Sequence, residues 1–130
     1  MIFWHFPRFL LAACDNLRSA ERRGMELLLS HLSSTQLAQF KSAGCFDVTG
    51  NDSGCRYRIR DARSINVEQL GLDGQCVRRW CFEPKGNLVR GDVMLAQKFA
   101  LECFEREALQ RGHDYPPEQL DTASNNKRLG

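Results

Sequence analysis

The clearest pattern in the chain is a strict alternation over Cys55-Arg56-Tyr57-Arg58-Ile59-Arg60. Cys55, Tyr57 and Ile59 fall on one side, and the three arginines fall on the other. Period two over this length predicts a half-buried β-strand. Phe46 and Val48 alternate in the same way with Cys45, Asp47 and Thr49. Between the two runs lies Gly50-Asn51-Asp52-Ser53-Gly54, dense in turn formers, which closes them into a hairpin. Facing residues of an antiparallel pair share a side of the sheet. Phe46 and Val48 therefore face two of Cys55, Tyr57 and Ile59, and Asp47 stands opposite Arg56 or Arg58. The same parity keeps Cys45 and Cys55 out of direct opposition, which argues against a disulfide between them.

A third strand is expected over 64–70, with Ile65 and Val67 inward, and a fourth over 75–82 after the Leu72-Asp73-Gly74 turn. The fourth alternates imperfectly. Val77 and Cys81 share one side and Trp80 and Phe82 the other, which predicts a bulge near Arg78-Arg79 or burial of both faces there. Pro84 and Gly86 end it.

Helical spacing flanks these strands. Met25, Leu28, Leu29 and Leu32 recur at three- and four-residue steps within 15–44. Ser33 with Gln36 fits a capping box and starts a second helix, with Leu37 and Phe40 as its buried side and Gly44 as its stop. Gly91-Asp92 opens the last helix, with Asp92 as N-cap. On a helical projection Val93, Met94, Ala96, Phe99, Ala100, Leu101, Cys103 and Phe104 form one broad apolar face. Gln97 falls inside it and needs partners for its amide, at a strand end or in a pocket.

These elements predict an α+β fold: a four-stranded antiparallel meander with N-terminal helices and a long C-terminal helix packed on one face. A single domain is expected over 25–111. Residues 1–24 read as an N-terminal extension. Residues 112–130 turn polar, with Pro116-Pro117 and Ser124-Asn125-Asn126, and read as a flexible tail.

Composition adds bounds. A length of 130 residues fits one domain with a real core. The net charge of +2 by itself implies neither a nucleic-acid nor a membrane partner. Leu11-Ala12-Ala13-Cys14 looks like a lipobox, yet Pro7 and Arg8 leave only residues 9–13 as an apolar core, shorter than a signal peptide needs. A cytoplasmic location is expected, with export as a lipoprotein through Cys14 as the alternative. Phe3, Trp4, Phe6 and Phe9 seek an apolar surface and offer a route to self-association. No segment is long enough to span a bilayer. The six cysteines include no CxxC pair, and His5, His31 and His113 are scattered. Reduced thiols, with no metal site and no cofactor, are therefore expected.

No Ser/His/Asp order, HExxH, GxSxG or Walker loop is present, so no catalytic residue is nominated and an enzyme is not expected. A thiol nucleophile at Cys81 would need His31 or His113 brought to it by the fold. Residues 55–82 hold six arginines against Asp61, Glu68 and Asp73. Guanidinium groups suit bidentate contacts to carboxylate or phosphate, and they equally suit a solvated sheet face. Arg56, Arg58, Arg60, Arg78 and Arg79 are the candidate binding residues. The expected function is a small non-enzymatic binding module with a protein partner. The alternatives are nucleic-acid binding through the same arginines, and a thiol-dependent enzyme.

Leu27-Leu28-Leu29-Ser30-His31-Leu32, Phe46-Asp47-Val48-Thr49-Gly50, Tyr57-Arg58-Ile59, Asn66-Val67 and Gly91-Asp92-Val93-Met94-Leu95-Ala96-Gln97-Lys98 together resemble a recurring small bacterial domain. The resemblance covers about residues 25–109, and its last segment is the most specific. It implies no activity, substrate or cofactor, and it places residues 1–24 and 110–130 outside the shared unit. In that domain a histidine often stands where this chain has Glu83, between Cys81 and Pro84. The departure weakens a metal or catalytic role at that spot.

Overall fold

The alternating runs form the first hairpin of an antiparallel sheet. The computed structural model describes residues 8–61, 65–82, 86 and 88–117, the first ten by backbone alone. Within them the fold is α+β. Helices α1 (Arg8–His31) and α2 (Ser34–Ala43) precede strands β1 (Cys45–Thr49), β2 (Arg56–Arg60), β3 (Val67–Leu70) and β4 (Cys76–Cys81). Helix α3 (Arg90–Arg111) and strand β5 (His113–Tyr115) follow. The sheet runs in the order β1-β2-β3-β4-β5. Of the two registers parity allowed, the structure takes the one in which Phe46 faces Ile59, Val48 faces Tyr57 and Asp47 faces Arg58. Cys45 lies opposite Arg60, and the five described cysteines are free thiols.

The sheet has five strands, not the four expected. The fifth, His-Asp-Tyr, comes from the stretch read as a tail. It is short and polar, so no alternation announces it, and it forms because β4 offers an open edge. The third strand begins at Val67 rather than 64. Ile65 holds a left-handed backbone (φ 51°), which breaks any strand there and is costly for a β-branched residue. A register shift does occur in β4. Gln69 faces Arg78 while Leu70 faces Cys76, so the extra residue is Val77, just before the arginine pair.

Helix α3 lies on the inner face of the sheet, and its buried residues are Gly91, Met94, Leu95, Gln97, Lys98, Leu101 and Glu105. This arc is rotated by roughly a third of a turn from the apolar face the projection favours. Phe99 and Phe104 are exposed, at 41% and 62%. Buried polar groups explain the rotation, because each has a partner that a projection cannot see. Gln97 and Asn66 exchange amide hydrogen bonds (2.8 and 2.9 Å), and Gln97 also donates to the Phe82 carbonyl at 3.0 Å, tying down the end of β4. Lys98 donates to Glu102 at 2.6 Å. The helix starts at Arg90 with Val89 as N-cap, so Asp92 sits in the first turn and does not cap it.

Helix α1 packs on α3. A Cβ at Gly91 would overlap the Gly24 backbone, and His31 stacks edge-on to Phe99 (centroids 5.7 Å apart). The two helices thus run side by side in the same direction, and Leu28 reaches the core with 0% exposure. The capping box forms as expected, Ser33 Oγ accepting from the Gln36 N–H and Gln36 Oε1 from the Ser33 N–H. Gly44 ends α2 in the left-handed region (φ 69°). Gln36 Nε2 donates to the Asp47 carbonyl and Gln39 Oε1 accepts from the Asp47 N–H, so α2 closes the outer edge of β1. Among the described residues no helix is long and apolar enough to cross a membrane. Phe3, Trp4, Phe6 and the side chains of Phe9 and Cys14 lie outside what is described, and with them the self-association and lipoprotein readings.

Three substitutions test this packing by urea denaturation. Leu101→Ala is expected to cost about 2–5 kcal/mol, as a fully buried leucine should. Phe99→Ala is expected to cost less than about 1 kcal/mol, because its ring is partly in water. Gly91→Ala is expected to cost about 1–3 kcal/mol, since α1 must move away from α3. Equal losses at Leu101 and Phe99 would mean that α3 is turned as its apolar pattern alone implies.

Candidate functional site

Alternation in β2 sends Arg56, Arg58 and Arg60 to the face opposite α3. Register carries the same face across the sheet. Its central row reads Asp47, Arg58, Glu68, Arg79, Tyr115, with the four charges alternating in sign. Cross-strand neighbours of opposite charge attract, and the observed pairs use most of the row. Arg58 Nε donates to Asp47 Oδ1 at 2.9 Å and its second nitrogen reaches Oδ2 at 3.3 Å, a fork-to-fork pair. Arg60 leans along the strand to Glu68, donating to both carboxylate oxygens. Hydrogen bonding to Asp47 raises the Arg58 pKa, and hydrogen bonding to Glu68 raises that of Arg60.

This leaves Arg79 stranded. Glu68 lies directly opposite it but is committed to Arg60, and Arg79 Nε is shielded from solvent with no acceptor among the described residues. Arg56 is exposed and forms no ion pair among the described residues. Arg78 belongs elsewhere. It faces Gln69, on the side of Tyr57 and Trp80, and its guanidinium pairs with Asp114 of β5 at 2.9 Å. Four of the five candidate arginines therefore share one surface, and the fifth lies on the other.

The opposite face carries a cleft of about 370 Å³, lined in part by Ser53, Cys55, Tyr57, Gln69, Glu105 and Leu109. At its base sits a polar assembly that periodicity did not reveal. Helix α3 leaves helical geometry at Phe104 (φ −141°, ψ 44°). In a regular helix the Glu105 N–H would bond the Leu101 carbonyl. Here Asn51 of the β1–β2 turn takes both halves of that bond. Its N–H donates to Leu101 O (3.2 Å), and its Oδ1 accepts from the Glu105 N–H (2.9 Å). Its Nδ2 donates to the Cys103 carbonyl at 2.8 Å.

Glu105, 2% exposed, returns the contact. Its carboxylate accepts from the Asp52 and Ser53 N–H groups (2.9 and 2.7 Å), from Ser53 Oγ (2.5 Å) and from the Tyr57 hydroxyl (2.5 Å). Burial opposes its charge, but these donors outweigh burial and lower its pKa. Burial first, and then donation to Glu105, push the Tyr57 hydroxyl well above its ordinary value. A carboxylate held ionised by four donors is a poor proton acceptor, and this phenol is a poor acid. The pair is a latch for the turn rather than an acid–base couple.

The fold places the two histidines that a Cys81 nucleophile would need in different surroundings. His31 lies against Phe99, whereas His113 faces Cys81 directly across the β4–β5 pair. Among the described residues no group of three or more His, Cys, Asp or Glu side chains could hold a metal ion. No protein-family model, curated protein or solved structure matches the chain.

The latch has a pH signature. The folded-state pKa of Glu105 is lowered, so its stabilisation is complete above the unfolded-state value of about 4.3 and is lost as pH falls through the folded value. Glu105→Gln is expected to cost about 2–3 kcal/mol at neutral pH. The gap to wild type should shrink on acidification. Denaturant melts at neutral and acidic pH check this, and a gap independent of pH would show that the ionised carboxylate does not hold the turn.

Proposed function

We propose that the protein is a small non-enzymatic binding module whose outer sheet face takes an acidic protein segment. The observation that carries the reading is an imbalance on that face: among the described residues, Arg56, Arg58, Arg60 and Arg79 meet only Asp47 and Glu68. The two carboxylates pin Arg58 and Arg60, and Arg56 and Arg79 remain for a partner. From strand spacing and rise the Cα atoms of these two lie about 12 Å apart. Two acidic side chains on one polypeptide suit them.

Nucleic-acid binding through the same arginines is the second reading, and the charge count disfavours it. The two arginines left without an ion pair among the described residues of this face would release only about two counterions from a phosphate backbone, against the six to ten contacts of a typical binder. The free thiols among the described residues support a cytoplasmic setting for the partner.

Fluorescence anisotropy with a short labelled Glu/Ser peptide and with single-stranded DNA, at low and moderate salt, tests both readings. The peptide is expected to bind at low salt. The double variant Arg56→Gln/Arg79→Gln should weaken it about tenfold, or about 1.4 kcal/mol, with its melting temperature within a few degrees of wild type. No peptide binding at low salt, or unchanged affinity in the double variant, overturns the proposal. DNA bound more tightly than peptide, with a steep salt slope, transfers the face to the second reading.

A further inference from the structure

The sheet edge formed by β4 and β5 brings together side chains that lie far apart in sequence. Cys81 and His113 are register partners, and they point to the outer face because Trp80, next to Cys81, points to the core. Directly opposed residues have Cβ atoms about 4.5–5.5 Å apart, so rotation of the exposed His113 imidazole can bring a ring nitrogen within reach of the thiol. Arg79 stands two residues before Cys81 on the same face, about 7 Å along the strand. Its Nε lacks an acceptor among the described residues, and Glu68, the carboxylate opposite it, is held by Arg60. The thiol is half-buried and unbonded to another cysteine. A nucleophile, a proton acceptor and a cation with no ion pair among the described residues thus share one patch.

We infer that Cys81 is a reactive thiol, with His113 as its proton acceptor, and that it is modified by anionic disulfides drawn in by Arg79. The step is thiol–disulfide exchange. His113 takes the thiol proton, and the Cys81 sulfur attacks one sulfur of the incoming disulfide, whose S–S bond breaks. A new S–S bond forms at Cys81, and the departing thiolate leaves as a thiol with the proton carried by the imidazolium. Cys81 is oxidised to a mixed disulfide, and half of the reagent is reduced. Carboxylates on the attached group then meet the Arg79 guanidinium. The inference holds whether or not the arginine face binds an acidic partner.

The test follows each cysteine of the full chain by peptide mass mapping during reaction with glutathione disulfide, which is anionic, and with hydroxyethyl disulfide, which is neutral. In wild type, Cys81 is expected to react at least tenfold faster with glutathione disulfide than Cys103, although Cys103 is the more exposed. A Cys81 rate no greater than that of Cys103 overturns the inference without any variant. His113→Asn is expected to slow Cys81 about tenfold and leave Cys103 unchanged. If His113 serves only to hold β5 in place, the same variant frays the edge and speeds Cys81, which is the overturning result. Arg79→Gln should slow the anionic reagent and not the neutral one, and equal effects on both overturn the role given to Arg79.

Discussion

One asparagine makes the hairpin and the long helix a single unit. Helix α3 is broken at Phe104, and a broken helix inside a fold leaves amide and carbonyl groups that must find partners. Asn51 supplies them from the tip of the first hairpin, bonding Leu101, Cys103 and Glu105 at once. Glu105 then binds the backbone of the same turn, so the contact is reciprocal. Gly50 is required at this junction, since a Cβ there would overlap the Glu105 carboxylate. With the hairpin fixed to α3 in this way, Tyr57 and Ile59 are set against Met94 and Leu101, and the core follows.

The outer face is governed by a different balance. Partly exposed ion pairs contribute only about 0–1 kcal/mol each, so the Arg58–Asp47 and Arg60–Glu68 pairs add little to stability. Their effect is positional. Each holds a long, flexible side chain in one place and removes one carboxylate from competition. The consequence falls on β4, where Arg79 is left beside Cys81 and His113. The arginine surplus follows from the commitment of Glu68 to Arg60, whereas the Cys81–His113 opposition follows from the pairing of β5 with β4.

The first hairpin was legible because its two alternations constrain each other: once Phe46 and Val48 must face two of Cys55, Tyr57 and Ile59, Asp47 must face an arginine, and only the choice between Arg56 and Arg58 is left to the structure. The capping box and the Gly44 stop were legible because their chemistry is local. The orientation of α3 was not. A projection counts apolar residues, and here Gln97, Lys98 and Glu105 go inside with partners on β4, on the helix itself and on the turn. Strand β5 was missed because three polar residues carry no periodicity, and Ile65 because a left-handed backbone at a β-branched residue runs against propensity. The Cys81–His113 opposition depends on β5, so no reading of spacing could assign it.

The two edges of the sheet differ in kind. Along β1, the Asp47 amide and carbonyl that face away from the sheet are already occupied by the Gln39 and Gln36 side chains, so the middle of this margin is closed to an added strand. At the other edge β5 presents the backbone of only three residues. Among the described residues one border is interrupted at its centre and the other is short, and neither gives an incoming strand a long, unbroken row of partners.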